Sequence, residues 1–179
     1  HVMLNLRRFG FDSFLLLAGY QAEVVQALYR DNSQFEEELG ASINVVVEPS
    51  PLGTGGALKF AGDYLQDEFL LLNGDSIFDF NYLDLCNCAR EHEQPEWLGR
   101  IALLPVKSAT RYGFVELNGD TISEFREKPQ EPESGLINSG VYWLRKKVLD
   151  YIVDTPCSLE QTIFPRLANE GQLLGRSYN

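Results

Sequence analysis

The feature that most constrains the fold is a succession of short, largely apolar runs separated by helical patterns in the first half of the chain. The runs cover residues 14–18, 43–47 and 69–72, and apolar residues at helical spacing lie between them, as in residues 21–30. Strands that are apolar on both faces are typical of a parallel sheet covered by helices. Right-handed crossovers then predict a doubly wound topology for this half.

The second half has a different texture, with strands predicted at residues 100–104, 113–117, 121–127 and 136–144. Asn118-Gly119-Asp120 is a hairpin signal between two of these strands. Ser158 and Gln161 have the capping-box spacing that starts a helix, which we expect to run to about Ala168. The predicted fold class is therefore α/β, with a doubly wound mixed, mainly parallel sheet, helices on both faces and a more antiparallel second half. We expect residues 1–179 to form a single domain.

Composition limits the classes of function. With 15 Lys and Arg against 26 Asp and Glu, the net charge is -11, which opposes binding to nucleic acid or to anionic lipid. The apolar runs are too short to cross a bilayer, so we expect a cytoplasmic protein that does not bind membranes. The three cysteines lack histidines at metal-ligand spacing, and we expect free thiols.

The loop at residues 48–57 (EPSPLGTGGA) is the first candidate ligand site. It follows a predicted strand and leads into a helix, and ligands of open α/β sheets bind at the carboxyl ends of strands. Two prolines stiffen its first half, while three glycines let backbone approach a flat ligand and expose N–H groups at a helix start. The loop therefore predicts a site for a base or a phosphate. A plain strand-to-helix turn has the same composition and remains an alternative.

Asp75 is the second candidate, because it follows the apolar run 69–72 in the sequence Asn73-Gly74-Asp75. A carboxylate at the end of a strand can hold Mg²⁺ against phosphate oxygens. A simple turn, for which Asn-Gly-Asp is well suited, is the alternative interpretation.

Glu127, Lys128 and Asn138 form the third candidate group. A lysine is a suitable point charge for a phosphate, a glutamate can accept hydrogen bonds from vicinal sugar hydroxyls, and an asparagine can both donate and accept. A solvated strand end is the alternative interpretation of the Glu-Lys pair.

In this order, the segments resemble the sugar-1-phosphate nucleotidylyltransferase family, over nearly the whole chain. The matching segments are the loop 48–57, residues 73–78 (NGDSIF), residues 112–115 (YGFV), residues 127–129 (EKP) and residues 137–142 (INSGVY). The forms of the loop and of residues 73–78 are most similar to guanylyltransferases acting on mannose 1-phosphate or D-glycero-D-manno-heptose 1-phosphate, and we favour the heptose branch. The resemblance implies a Rossmann-like nucleotide-diphospho-sugar transferase fold.

The resemblance also implies the role of each candidate residue. The nucleotide would be held by Glu48, Pro51, Leu52, Gly53 and Thr54, and the sugar phosphate by Gly113, Glu127, Lys128 and Asn138. Asp75 would be one of two aspartates that bind the cofactor Mg²⁺, and Asp75 and Lys128 would be the catalytic residues. The implied reaction is attack of a sugar-phosphate oxygen on the α-phosphorus of a nucleoside triphosphate, which the guanylyltransferase resemblance implies to be GTP, with release of pyrophosphate and formation of a nucleotide sugar.

Two family segments are not found in these 179 residues, the glycine-rich triphosphate loop with the first strand and the segment of the second metal aspartate. We therefore expect a domain truncated at both ends, with a gap in the middle of its sheet. Two hypotheses follow, a fragment of an active guanylyltransferase and a truncated, inactive module that binds nucleotide, sugar phosphate or a protein partner. A domain without a ligand is a third class. Homodimerisation through an uncovered sheet edge is a further expectation.

Overall fold

The computed structural model of the protein describes residues 1–29, 33–91, 96–107, 113–126 and 134–179. The α-helices in these residues are α1 (Val2–Arg8), α2 (Ala22–Tyr29), α3 (Ser33–Leu39), α4 (Gly53–Phe60), α5 (Tyr82–Glu91) and α6 (Phe164–Asn169). The strands are β1 (Ser13–Ala18), β2 (Ser42–Val47), β3 (Glu68–Leu72), β4 (Gly99–Val106), β5 (Phe114–Asn118), β6 (Thr121–Arg126), β7 (Gly135–Arg145) and β8 (Leu173–Ser177). Short 3₁₀ turns cover Gly62–Tyr64 and Lys146–Tyr151, and a π-helical turn covers Leu159–Ile163. None of the helices in the described residues is long and apolar enough to cross a membrane.

The strands form two sheets. One is the parallel pair β1 and β2, and the other has six strands in the order β3-β7-β4-β8-β6-β5. The long strand β7 lies antiparallel to β3, β4 and β5, whereas β4 and β8 are parallel. The mixed sheet and the α/β class agree with the sequence-based prediction.

Helices cover both faces of the six-stranded sheet, as predicted. Adjacent residues of its long strand β7 accordingly point into two different hydrophobic cores. In β7, Tyr142 and Leu144 belong to the cluster that contains residues of α4 and α6. Val141 and Trp143 belong to the cluster that contains residues of α1, α3 and α5. This alternation follows from the two-residue period of a strand, and it buries β7 from both sides.

The parallel part of the sheet is interrupted between β1 and β3. Among the described residues, β1 pairs only with β2 and β3 pairs only with β7. The two strands nevertheless contribute to the same cores, since Leu17 and Leu71 pack against one cluster and Leu16 and Leu70 against the other. The interruption lies where the sequence predicted a gap. Antiparallel pairings outnumber parallel ones in the described strands, although the sequence predicted a mainly parallel sheet, because β7 pairs antiparallel with β3, β4 and β5.

Two elements differ from the sequence-based expectation. The helix predicted after Ser158 is capped as expected, with the Ser158 side chain accepting a hydrogen bond from the Gln161 N–H at 3.1 Å. It begins as a π-helical turn and becomes α-helical at Phe164, next to Pro165, which has no N–H to donate to the preceding turn. Strand β8 was not predicted, because Gly175 and Arg176 break its apolar pattern.

Candidate functional site

The loop after β2 is held at its start by Glu48. The Glu48 N–H donates to the Ala18 carbonyl at 3.0 Å, which ties the end of β2 to the end of β1. The half-buried carboxylate accepts a hydrogen bond from the Leu52 N–H at 3.0 Å through Oε2. Its Oε1 atom packs against Gly19, where a β-carbon would lie only 2.2 Å away. Glu48 therefore closes the loop on itself, with Pro51 exposed at its outer side.

The second half of the loop packs against the chain around Cys157. The N–H groups of Gly55 and Gly56 both donate to the Cys157 carbonyl, at 2.9 and 3.3 Å, and the Cys157 N–H donates to the Leu52 carbonyl at 2.8 Å. Gly53 has a φ of 75°, and a β-carbon there would lie 2.5 Å from the Cys157 oxygen. The glycines thus allow a close approach, as predicted, but their partner is the protein's own backbone. The expectation that these N–H groups are exposed is wrong for Gly55 and Gly56.

Thr54, in the first turn of α4, connects this loop to the π-helical turn. Its exposed side chain donates a hydrogen bond to Oε2 of Glu160 at 2.7 Å and accepts one from the Leu159 N–H at 2.9 Å. Ser158 donates to the same carboxylate oxygen at 2.9 Å. The start of α4 is therefore joined through Glu160 to a segment far away in sequence.

The same glutamate reaches the predicted sugar-binding segment. Tyr142, fully buried in β7, donates a long hydrogen bond of 3.5 Å to Oε1 of Glu160 and accepts one from the Asn138 side-chain amide at 2.8 Å. We refer to Glu160, Thr54, Ser158, Tyr142 and Asn138 as the Glu160 network. It joins Thr54, which was predicted to bind the nucleotide, with Asn138, which was predicted to bind the sugar phosphate.

Asn138 is also fixed by backbone contacts. Its side-chain oxygen accepts from the Gly140 N–H at 2.9 Å, and its own N–H donates to the carbonyl of Gly113 at 2.9 Å. The structure therefore brings Gly113 and Asn138, two predicted sugar-phosphate residues, side by side at the ends of β5 and β7. Gly113 is buried, whereas Asn138 is half-buried.

Asp75 lies in the turn after β3, on the edge of the same region. The Asn73 N–H donates to the Gly140 carbonyl at 3.0 Å, which ties this turn to β7 two residues beyond Asn138. The Asp75 carboxylate is exposed and accepts a hydrogen bond from the Ser76 hydroxyl at 3.1 Å. Its position at the carboxyl end of a strand agrees with the sequence-based expectation.

Two predicted residues, Glu127 and Lys128, lie outside the described residues. The described part of the chain contains no group of three or more His, Cys, Asp or Glu side chains arranged to hold a metal ion. Asp75 would offer one carboxylate to a metal ion, and Mg²⁺ commonly takes one or two carboxylates together with phosphate oxygens.

A small pocket lies beside Glu48, at the carboxyl ends of β1 and β2. Its walls are Leu17, Ala18, Val46, Glu48, Ala57 and Phe60. Apart from the Glu48 carboxylate, these side chains are apolar. The pocket has a volume of about 30 Å³, which is room for a water molecule and not for a ring, and the Glu48 carboxylate is its one polar side chain.

The sequence did not predict the contacts that Glu160, Tyr142 and Cys157 make with the candidate site residues. The capping-box pattern located Ser158 and Gln161, but it carries no information on the glutamate between them. The Cys157 thiol is free, as expected, and burial raises its pKa. The Cys157 carbonyl accepts the hydrogen bonds from the loop, and the sulfur lies beside Gly55.

Comparison with known proteins identifies relatives over almost the whole chain. The family described as nucleotidyl transferase matches residues 1–174. Mannose-1-phosphate guanylyltransferase catalytic subunit beta of Xenopus tropicalis is 34% identical over 178 residues, which are 97% of this chain and 48% of that protein. Mannose-1-phosphate guanyltransferase of Candida albicans is 34% identical over 179 residues, with the same two coverages. The chain thus spans about half the length (48%) of these curated relatives.

Solved structures give the same fold. HddC from Yersinia pseudotuberculosis is 27% identical with a TM-score of 0.79, and the match covers 98% of this chain and 73% of that one. The structure of HddC complexed with GMP-PN is 26% identical with a TM-score of 0.78, covering 98% and 74%.

Proposed function

The chain belongs to the nucleotidyl transferase family, and we propose that it forms the nucleotide and sugar-phosphate pockets of a guanylyltransferase. The proposed reaction joins GMP from GTP to mannose 1-phosphate or a manno-configured heptose 1-phosphate and releases pyrophosphate. The observation that carries the proposal is the Glu160 network, because it holds Thr54 of the loop and Asn138 of β7 in one connected arrangement.

Guanine is the proposed base for two reasons. The relatives are named as guanylyltransferases, and HddC was solved with GMP-PN. Glu48 places a carboxylate at the start of the loop, and the exocyclic amino group of guanine is a donor that a carboxylate can accept from. The rest of the nucleotide would follow the loop past Pro51 and Leu52 to Gly53 and Thr54.

For the sugar phosphate, we propose that Gly113 and Asn138 contact the sugar together with Glu127, and that Lys128 holds the phosphate. The side-by-side placement of Gly113 and Asn138 supports this assignment. Mannose 1-phosphate is the first sugar to test, since the relatives quoted above are named for it. D-glycero-D-manno-heptose 1-phosphate is the second sugar phosphate to test.

Asp75 is the proposed ligand of Mg²⁺. When bound, the ion would neutralise charge on the phosphates. The chain itself positions the carboxylate. The hydrogen bond from the Asn73 N–H to the Gly140 carbonyl ties the turn that carries Asp75 to β7, two residues beyond Asn138. Catalysis would then come from positioning the two substrates and from charge neutralisation, without a covalent intermediate on the protein.

The test is isothermal titration of the purified chain, its mass checked, with GTP, mannose 1-phosphate and D-glycero-D-manno-heptose 1-phosphate, each with Mg²⁺ and with EDTA. Pyrophosphate release is measured in parallel, and ATP is the control nucleotide. We expect GTP and one sugar phosphate to bind, with GTP preferred over ATP. Binding of both without pyrophosphate release would favour the second candidate, an inactive module that binds the two ligands. A folded chain that binds none of these ligands would overturn both.

A further inference from the structure

The carboxylate of Glu160 is the meeting point of three side-chain hydroxyls. Oε2 accepts hydrogen bonds from Thr54 at 2.7 Å and from Ser158 at 2.9 Å, and Oε1 accepts the longer one from Tyr142 at 3.5 Å. These hydroxyls come from three different elements, namely the first turn of α4, the cap of the π-helical turn and the middle of β7. Glu160 is therefore a shared acceptor for separate parts of the fold.

The direction of all three hydrogen bonds is fixed by donors on the other side of each hydroxyl. The donors are the Leu159 N–H to Thr54 at 2.9 Å, the Gln161 N–H to Ser158 at 3.1 Å and the Asn138 side-chain amide to Tyr142 at 2.8 Å. A hydroxyl that accepts from an N–H still has its single proton to give, and Glu160 is an acceptor within hydrogen-bond distance of each of the three. An ionised carboxylate, which only accepts, satisfies the whole arrangement.

The orientation of the Asn138 amide fits this network. Its nitrogen donates to Tyr142, whose own proton goes to Glu160, and its oxygen accepts from the Gly140 N–H at 2.9 Å. Reversing the amide would put its oxygen against the Tyr142 oxygen and its NH₂ against the Gly140 N–H. The Gly140 N–H fixes this orientation, and the Asn138 nitrogen then donates along the path that leads through Tyr142 to Glu160.

We propose that Glu160 is a positioning residue that aligns the nucleotide loop, through Thr54, with the sugar pocket, through Tyr142 and Asn138. The inference rests on the proposed function, because it concerns the same two pockets. Glu160 acts through other residues, so its loss affects both ligands, whereas loss of one arm of the network affects only the ligand on that arm.

The variants Glu160→Gln and Glu160→Ala remove the common acceptor, and Tyr142→Phe removes only the arm that leads to Asn138. The matched control is Glu170→Gln. Glu170 is an exposed glutamate that accepts from the Tyr151 hydroxyl at 2.8 Å, so the same chemical change is made in a tyrosine–glutamate pair outside the site. Thermal unfolding of every variant checks that the fold is retained.

Titration with GTP and with mannose 1-phosphate is the first measurement. We expect both Glu160 variants to raise the dissociation constants of both ligands about tenfold, the scale of one lost hydrogen bond to a charged group. Tyr142→Phe should raise the constant for mannose 1-phosphate and leave that for GTP within about twofold, and Glu170→Gln should change neither. A merely structural role for Glu160 predicts equal weakening in Tyr142→Phe, and this result would overturn the inference.

The second measurement needs no ligand. The ¹⁵N–¹H resonances of the Asn138 side-chain amide should move in Glu160→Gln and in Tyr142→Phe, and should stay in place in Glu170→Gln. Unmoved resonances in Glu160→Gln overturn the inference whether or not ligands bind. Wild-type protein that binds neither ligand overturns the proposed function instead, so the two failures are distinguishable. If the wild-type protein binds both ligands and Glu160→Gln binds them with unchanged affinity, only the inference about Glu160 is overturned.

Discussion

Replacing Gly53 by alanine tests the packing of the ligand loop against the chain around Cys157. The residue has a φ of 75°, a left-handed conformation that costs an L-residue about 1–2 kcal/mol. The added β-carbon would also lie 2.5 Å from the Cys157 oxygen and 3.0 Å from its carbonyl carbon, so the two segments must separate.

The cost of that separation can be worked out from the hydrogen bonds it would break. Gly55 and Gly56 donate to the Cys157 carbonyl, and the Cys157 N–H donates to the Leu52 carbonyl. At about 1 kcal/mol net for each bond, their loss adds about 3 kcal/mol. We therefore expect Gly53→Ala to lower the free energy of unfolding by about 4–5 kcal/mol, unless the loop detaches by itself at a smaller cost.

Gly119→Ala is the matched control, because Gly119 also has a positive φ, 61°, but a β-carbon there would meet nothing within 4 Å. It should cost only the backbone term of about 1–2 kcal/mol. Urea unfolding of both variants gives the difference, and hydrogen exchange at the Gly55 and Gly56 amides detects detachment of the loop alone. Equal stabilities together with unchanged protection of these amides would refute the reasoning.

The remaining predictions concern single groups and the sheet edges. Asp75→Asn should remove Mg²⁺-dependent binding of GTP without lowering the melting temperature, because the carboxylate is exposed; a Mg²⁺ effect equal to that of wild type would contradict the assignment. Lys128→Ala should weaken sugar-phosphate binding much more than GTP binding in the same titration, and equal losses would argue against it. Alkylation of Cys157, followed by peptide mapping at pH 8, should be far slower in the native than in the urea-unfolded chain, because burial raises the thiol pKa and limits the thiolate fraction; similar rates would contradict this. The edges of β1 and β3, unpaired among the described strands, predict association that grows with protein concentration in sedimentation velocity, and a constant monomer mass would count against it.

The sequence predicted the strands of the first half closely because each is an apolar run covered from two sides. The run 69–72, for example, became β3 at Glu68–Leu72, with Leu70 and Leu71 packed in opposite cores. Such strands are specified by their own residues, since burial on both faces requires apolar side chains throughout. The hairpin between β5 and β6 was specified in the same local way by Asn118-Gly119.

Strand β8 could not be predicted in this way, because its conformation depends on its neighbours. Gly175 has little strand propensity, yet a β-carbon there would lie 2.7 Å from side-chain atoms of both Leu103 and Leu117. Only glycine fits between these two leucines, and the parallel pairing with β4 makes the segment a strand. This information lies in residues far from β8 in sequence, so periodicity within the segment cannot supply it.

The candidate site shows the same division between local and distant information. Three glycines predicted a close backbone approach at the start of α4, but composition does not say what approaches. Because the Cys157 carbonyl takes the N–H groups of Gly55 and Gly56, these two groups are not available to a phosphate while this contact lasts. A ligand of the loop must then be recognised by other groups, and the polar side chains at its two ends are Glu48, bonded to the Leu52 N–H, and Thr54, held by Glu160 and the Leu159 N–H. This is why the arrangement around Glu160, which holds Thr54, matters more to the proposed function than the glycines from which the site was first predicted.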